Sequence, residues 1–124
     1  MLNNLEFLLS DLITSILADL WIILVLLFDL TKNQIDEYLK FLTGWKVLVN
    51  EKKAFYLSRA FKFKNFEESL GFINKLSLIA EEEGHHPDLK FGWGYAEINM
   101  HTHAINGLSL SDFILASKID MISV

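Results

Sequence analysis

Three histidines in two short segments are the residues of this sequence best suited to moving protons. His85 and His86 are adjacent, and sixteen residues on from His86 a strand-like run ends in Thr102 and His103. Histidine donates and accepts protons near neutral pH because the ordinary pKa of its imidazole lies close to that range. The two segments therefore carry candidate groups for general acid and base catalysis.

The segment around the histidine pair breaks the usual preferences of a helix end. Three carboxylates, at residues 81–83, fall in the last turn of a predicted helix, where the helix dipole disfavours negative charge by about 0.3–1 kcal/mol each. Gly84 supplies the left-handed stop expected after a helix, and Pro87 favours an extended conformation at His86. Sequences that depart from local preference without a packing gain often do so at functional sites.

The spacing of these residues with others downstream resembles that of the pterin-4a-carbinolamine dehydratase family. The upstream pair Gly44 and Trp45 and residues 61–66 are also similar, and the resemblance covers about residues 31–120. A histidine pair followed by proline is a weak signal alone, whereas the joint spacing is specific. The matching positions, in chain order, are Glu81, His85, His86, Pro87, Trp93, His103 and Asp112.

The resemblance implies a reaction in which a hydroxyl leaves C4a of a 4a-hydroxytetrahydropterin and the quinonoid dihydropterin forms. An acid protonates the leaving oxygen and a base takes the proton of a ring nitrogen, without electron transfer. By resemblance, His85 and His103 transfer the protons, and His86 binds and orients the pterin. Glu81 and Asp112 are expected to hydrogen-bond or polarise this group, because a nearby carboxylate favours the protonated imidazole that a general acid needs.

Other roles for the supporting residues stay open at this point. Asp112 lies three residues after Ser109 and suits a capping box for the last helix, a role that can coexist with one in the site. Pro87 and Trp93 are expected to support substrate binding. Trp93 would form a flat wall for the pterin, with ordinary sheet packing as the alternative.

The same resemblance implies that the reaction uses neither a cofactor nor a metal, and that the pterin is the substrate. Adjacent His85 and His86 in an extended segment are poorly placed to bind one ion together. A random histidine pair at a helix end would most simply be a solvated loop, but the full spacing favours a site. The chain has no cysteine, which excludes disulfides and thiolate metal sites and fits a cytoplasmic protein.

The negative charge of the chain is concentrated at its start. The formal net charge is −5 over 124 residues, and residues 1–31 contribute −4 because they contain four acidic residues and no lysine or arginine. The remaining residues, with 12 acids and 11 bases, are close to neutral. A basic face that would bind nucleic acid is therefore not expected. The length predicts a single domain, which we place at residues 29–124.

Residues 1–28 precede this domain as an apolar helical extension of uncertain role. Polar residues occupy one face of the predicted helix as far as Leu20, and the sequence beyond is apolar all round. The extension lacks the basic start of a signal peptide, and Asp19 makes it marginal as a membrane span. The alternatives are packing on the domain or another subunit, a start upstream of the native one, or membrane association through residues 5–28. A span would leave the domain in the cytoplasm, because lysines follow it.

The pattern of helical and strand-like segments predicts an α+β fold. Thr31 begins the first helix with a capping box, Asn65 caps the second helix and Ser109 caps the third. The order helix, strand, strand, helix, strand, strand, helix predicts a four-stranded antiparallel sheet with three helices packed on one face. The predicted strands are residues 45–49, 54–63, 91–95 and 96–103.

Side chains alternate between the two faces of the last predicted strand. Residues 96, 98, 100 and 102 are expected to face the helices, whereas residues 97, 99, 101 and 103 face the other way. This alternation places His101 beside His103, near the rim of the pocket. The resemblance implies a homodimer or homotetramer, and the second helix, which carries more apolar residues than one face needs, is consistent with that. Its core stripe is predicted to be Phe66, Leu70, Ile73, Leu76 and Ala80.

The sequence therefore predicts a 4a-hydroxytetrahydrobiopterin dehydratase that recycles tetrahydrobiopterin in the cytoplasm. The alternative, from another functional class, is a non-enzymatic interaction module, a dimerisation partner of the transcription-coactivator type. An interaction module has no need of the histidine set, so its presence favours the enzyme.

Overall fold

The fold was analysed in a computed structural model, which describes residues 4–26 and 28–123. Within these residues the chain forms four α-helices, four strands and one short 3-10 helix. The elements, in chain order, are α1 (Asn4–Leu26), α2 (Lys32–Leu39), β1 (Lys46–Val49), β2 (Phe55–Lys62), α3 (Phe66–Glu83), β3 (Asp88–Gly92), β4 (Tyr95–Met100), the 3-10 helix (His103–Ile105) and α4 (Leu110–Asp120).

The four strands form one antiparallel sheet in the order β1-β2-β4-β3. Its buried face packs against α2, α3 and α4, and the core joins Leu57 and Ile98 of the sheet to Ile35, Phe72 and Ile119 of the helices. This architecture confirms the predicted α+β fold with an additional apolar helix at the N-terminus. The order places β2 beside β4, so residues from the first hairpin reach the segment that leads to His103.

The second hairpin begins and ends three residues earlier than the sequence predicted, at Asp88 and Met100. The alternation in β4 is confirmed, since residues 96, 98, 100 and 102 are buried. However, Trp93 and Gly94 form the turn rather than strand, because a tight turn needs a positive φ and Gly94 supplies it at 77°. Regular strand pairing ends at Met100, and His103 opens the 3-10 helix.

Helix α3 begins and ends where expected and buries Ile73, Leu76 and Ala80 of the predicted stripe. Asn65 caps its first turn, and Gly84 ends it in the left-handed conformation with φ of 62°. Phe66 and Leu70, both predicted in the core, are exposed. The buried stripe is centred between Phe72 and Ile73, and at about 100° per residue Leu70 lies roughly 100° from that centre. The buried residues of α3 are Ser69, Phe72, Ile73, Leu76 and Ala80.

Arg59 of β2 faces the helices and is stabilised there by specific partners. Its Nη1 donates to Asp120 Oδ1 at 2.6 Å and to the Thr43 carbonyl at 2.6 Å, and its guanidinium stacks 4.4 Å above the Phe61 ring. The same Asp120 oxygen accepts a 2.8 Å hydrogen bond from Trp45 Nε1. These contacts fix the end of α4 against β2.

Helix α1 extends from the domain instead of packing on it. All of its described side chains from residue 4 to residue 24 are exposed. Its end is fixed by two hydrogen bonds, from Ser111 Oγ to the Leu26 carbonyl at 2.8 Å and from Leu30 N to the Leu108 carbonyl at 2.8 Å. Packing of the extension on its own domain is therefore wrong for this structure.

The corrected stripe of α3 gives a test of the core. Phe72 is 1% exposed and its ring lies 4.6 Å from that of Phe61, whereas Phe66 is 48% exposed on the same helix. We expect Phe72→Ala to lower the free energy of unfolding by roughly 3–5 kcal/mol, because a large cavity remains. Phe66→Ala should cost about 1 kcal/mol or less. Urea denaturation followed by circular dichroism measures both, and equal losses would contradict this packing.

Candidate active site

A buried carboxylate holds the first histidine of the pair. Gly84 turns the chain at the end of α3, and the His85 backbone N–H donates to the Ala80 carbonyl at 3.1 Å. The ring then lies beside the first turn of α4, where His85 Nε2 is 2.6 Å from Asp112 Oδ1. Asp112 is fully buried and His85 is half-buried. This contact therefore joins the end of one helix to the start of another.

The second oxygen of the Asp112 carboxylate accepts two hydrogen bonds. It accepts hydrogen bonds from Thr102 Oγ1 at 2.7 Å and from the Ser109 backbone N–H at 2.9 Å. A hydroxyl has one hydrogen, so Thr102 Oγ1 acts as acceptor in its 2.7 Å contact with Ser109 Oγ, and the Ser109 hydroxyl donates. Asp112 thus caps α4 and contacts His85 at once, and the two roles considered from the sequence coexist.

The second histidine of the pair has an exposed partner. His86 Nε2 is 2.6 Å from Glu81 Oε1, across the turn at Gly84, and both side chains are largely exposed. Such a contact orients the imidazole but contributes little to stability, because water screens it. Pro87 follows, half-buried, and leads directly into β3.

Two of the carboxylates at the end of α3 have hydrogen-bond partners in neighbouring segments. Glu81 lies against His86, and Glu83 accepts a hydrogen bond from Lys118 Nζ of α4. That hydrogen bond raises the pKa of Lys118 above its ordinary value, with a smaller contribution from the negative charge of Glu82. The unfavourable charges at the helix end are therefore used to bind the histidine segment and α4.

The third histidine lines an open polar cavity of about 630 Å³ on the sheet face away from the helices. His101 and His103 lie side by side there, with ring centroids 4.2 Å apart, as the alternation of the strand predicted. Five of the eight remaining wall residues come from β1, β2 and the turn between them. The full lining is Val49, Asn50, Glu51, Lys52, Tyr56, Asp88, Asn99, His101, His103 and Asn106.

The buried carboxylate joins His85 to the segment that carries His103. His85 contacts one oxygen of Asp112, and Thr102, the residue before His103, donates to the other. His86 and Pro87 lead to Asp88, which lies in the cavity wall. His85 and His86 do not themselves line the cavity but lie next to it along these connections.

Trp93 lies apart from the histidine pair in the structure. It lies in the turn between β3 and β4 and is 71% exposed. Asp88, by contrast, begins β3 at the end next to the histidine pair, and four residue steps of strand amount to about 13 Å. Within one chain Trp93 therefore does not form a wall beside the histidines.

Asn99 is a site residue that the sequence did not single out. It lies in the cavity wall, and its Nδ2 donates to Glu97 Oε1 at 3.3 Å. Its Oδ1 is buried and has no hydrogen-bond partner among the described residues. A buried carbonyl oxygen without a partner is costly, so this atom is a natural acceptor for a bound ligand. Only its outward position on β4 could have indicated it in advance.

No three acidic or histidine side chains within residues 4–26 and 28–123 converge into a group that could hold a metal ion. The prediction that the reaction uses no metal is therefore left to experiment.

Comparison with known proteins identifies the family. Residues 29–122 match the sequence profile of the pterin 4 alpha carbinolamine dehydratase family, so the chain belongs to that family. A relative from Rubrobacter xylanophilus is 47% identical over 88 residues, which cover 71% of this chain and 78% of the relative. One from Alkaliphilus metalliredigens is 45% identical over 92 residues, covering 73% and 79%. Both carry the provisional name pterin-4-alpha-carbinolamine dehydratase.

Two solved structures share the fold. A protein from Brucella melitensis, described as a transcriptional coactivator/pterin dehydratase, has a TM-score of 0.69 and 30% identity, covering 75% of this chain and 96% of that one. A pterin dehydratase-like protein described as a RuBisCO assembly factor in the alpha-carboxysome has a TM-score of 0.53 and 22% identity, covering 63% and 87%. At that identity the second structure is evidence for the fold alone.

The buried network gives a second test. Thr102→Val keeps the shape of the side chain but removes the hydroxyl that donates to Asp112, which leaves a buried acceptor with one donor fewer. We expect the free energy of unfolding to fall by about 1–3 kcal/mol. Ser77→Ala is the control, because its hydroxyl bonds only within an exposed helix turn and should change stability by about 0.5 kcal/mol or less. Unchanged stability in Thr102→Val would remove Thr102 from the network.

Proposed function

We propose that this protein is a 4a-hydroxytetrahydrobiopterin dehydratase, a hydro-lyase that works by histidine acid–base catalysis. The observation that carries the proposal is the buried Asp112 carboxylate, which contacts His85 and accepts from Thr102, the residue before His103, whose ring lines the cavity. Family membership supports the same reaction class. The catalytic residues would be His85, His86 and His103, with Glu81, Pro87 and Asp112 in support.

The chemistry balances with protons alone. One imidazolium protonates the hydroxyl on C4a, the C–O bond breaks and water leaves. A neutral imidazole accepts the proton of a ring nitrogen, and the quinonoid dihydropterin results. Because the Asp112 carboxylate accepts at His85 Nε2, that nitrogen carries a hydrogen, and Nδ1 of the same ring is the atom able to exchange a proton.

The cavity suits the substrate that this reaction requires. A volume of about 630 Å³ lies within the range of small-molecule sites. A pterin carries several N–H groups along its edge, and the buried Oδ1 of Asn99 is an acceptor available to one of them. The pterin is consumed as a substrate in this proposal, and neither a cofactor nor a metal takes part.

The setting we propose is tetrahydrobiopterin recycling in the cytoplasm by a homodimer or homotetramer. The absence of cysteine fits a reducing compartment. Exposed apolar residues on α3, including Phe66 and Leu78, are available for contacts between copies. We also propose that residues 29–124 form the catalytic domain and residues 1–28 a separate extension.

The reaction can be tested directly with freshly generated 4a-hydroxytetrahydropterin. The wild-type protein should accelerate dehydration well above the buffer rate, and a chelator should have no effect. His103→Ala should lower the rate at least tenfold, equivalent to about 1.4 kcal/mol of barrier. His101→Ala is the matched control, because it removes a neighbouring imidazole of the same cavity that lies outside the family motif; it should cost less than tenfold.

Each result of this experiment has a separate meaning. A folded wild-type protein that matches the buffer rate would refute the dehydratase proposal. A chelator-sensitive rate would refute the metal-free mechanism. Equal losses in the two histidine variants would refute the particular assignment of proton transfer to His103.

A second candidate function is a binding module, favoured by an apolar groove of about 330 Å³ between α3 and α4. Leu78 and Met121 in this groove are 72% and 83% exposed. The Brucella structure is described as a coactivator as well as a dehydratase. A partner captured through this groove should be lost in Leu78→Asp and kept in His85→Ala, as measured by pull-down. Loss in His85→Ala alone would instead connect binding to the catalytic site.

A further inference from the structure

No other element in the described part of the chain packs against the exposed apolar side chains of α1. Every large apolar side chain of this helix between Leu5 and Leu24 is at least 49% exposed. Burying apolar surface is the main favourable term in protein folding and association, so a helix of this kind requires an apolar surrounding. The residues concerned are Leu5, Phe7, Leu8, Leu9, Leu12, Ile13, Ile16, Leu17, Leu20, Trp21, Ile22, Ile23 and Leu24.

The distribution of these side chains around the helix indicates which surrounding fits. Residues 20–23 follow one another at about 100° per residue and so point in four directions around the axis. All four are apolar and between 54% and 66% exposed. A second helix covers one stripe of its partner, so side chains on the remaining sides would stay in water. A lipid bilayer surrounds a helix on all sides, and it therefore fits residues 20–23 better than a second copy does.

The length of α1 also fits a lipid bilayer. Asn4–Leu24 comprises 21 residues with a mean hydropathy of 2.0 and no part buried. At about 1.5 Å per residue it spans roughly 31 Å, close to the hydrocarbon thickness of a bilayer. The Thr14 hydroxyl donates to the Ser10 carbonyl at 2.9 Å, which satisfies this polar group within the helix itself.

The charges around α1 give the expected orientation. The described helix has no lysine or arginine, and the first basic residues, Lys32 and Lys40, follow it on the domain side. Basic residues flanking a span remain on the cytoplasmic side. Glu6, Asp11 and Asp19 oppose insertion, but each is offset from the middle of the helix, and twelve leucine, isoleucine and phenylalanine residues within residues 4–24 favour it. Because the acidic and apolar residues contribute with opposite signs to the free energy of insertion, a single substitution should change the extent of insertion.

We propose that α1 inserts into a lipid bilayer and attaches the domain to the cytoplasmic face of a membrane. The hydrogen bonds from Ser111 to Leu26 and from Leu30 to Leu108 fix the domain directly at the end of the helix. The domain would therefore lie close to the lipid surface instead of hanging from a long linker. The side chains of α1 line neither the cavity nor the histidine network, so attachment leaves the reaction chemistry unchanged.

Flotation of the full-length protein with phosphatidylcholine vesicles tests this proposal. The wild-type protein should rise with the vesicles in a density gradient and remain bound at high salt, since the attraction is apolar. Ile16→Asp should lower the bound fraction relative to the free fraction at least tenfold, because it adds a charge near the middle of the span. Asp19→Asn should raise that ratio. Asn33→Asp, which adds the same charge at an exposed position outside α1, should leave it unchanged.

The alternatives give different results. Wild-type protein that stays in the dense fractions, whether as a monomer or as an oligomer that Ile16→Asp dissociates in analytical ultracentrifugation, would overturn the proposal. Equal loss of flotation in Asn33→Asp would overturn it as well, because net charge and not the helix would then control binding. Far-ultraviolet circular dichroism and the cooperative unfolding of the domain show that each variant remains folded, independently of any activity.

Discussion

A carboxylate with no exposed surface is stable only where hydrogen-bond donors replace the water it has lost. Asp112 has three such donors: the His85 ring, the Thr102 hydroxyl and the Ser109 backbone. They come from the segment after α3, the segment after β4 and the start of α4. A single buried charge therefore fixes how three elements meet, and the positions of two candidate proton-transfer residues follow from it.

The strand order brings the first hairpin next to the segment that carries His101 and His103, and so forms the cavity. Because β2 pairs with β4, the turn after β1 lies close to the end of β4, and Asn50, Lys52 and Tyr56 face the two neighbouring histidines. Helices cover the opposite face of the sheet and supply its core. The sheet thus separates an apolar side, which provides stability, from a polar side that is open to a ligand.

The resemblance to the family predicted that Asp112 and the histidine pair share a site, and the structure places His85 against Asp112 although 27 residues separate them. Capping residues were equally informative, since Thr31, Asn65 and Gly84 act through their own neighbours in sequence. The cavity wall was not predictable in this way. Asn50 and Asn99 are about 50 residues apart, and only the pairing of strands brings them together.

The errors share a physical cause. Phe66 and Trp93 are large apolar residues, and the sequence favours burial for both, but a helix start and a hairpin turn leave them at the edges of the packed layers. Burial depends on where an element ends relative to its neighbours, which periodicity alone does not define. The assignment of catalytic roles to individual histidines stays a prediction.

The double role of Asp112 affects how this chain can change over evolutionary time. Substitutions there remove a helix cap and a histidine partner together, so most such variants are eliminated through misfolding before their catalytic defect is selected against. His103 is exposed and its ring contacts only the His101 ring among the contacts found in residues 4–26 and 28–123. Lineages that abandon catalysis but keep the fold for binding would therefore be expected to lose the histidine at this position first and the aspartate last.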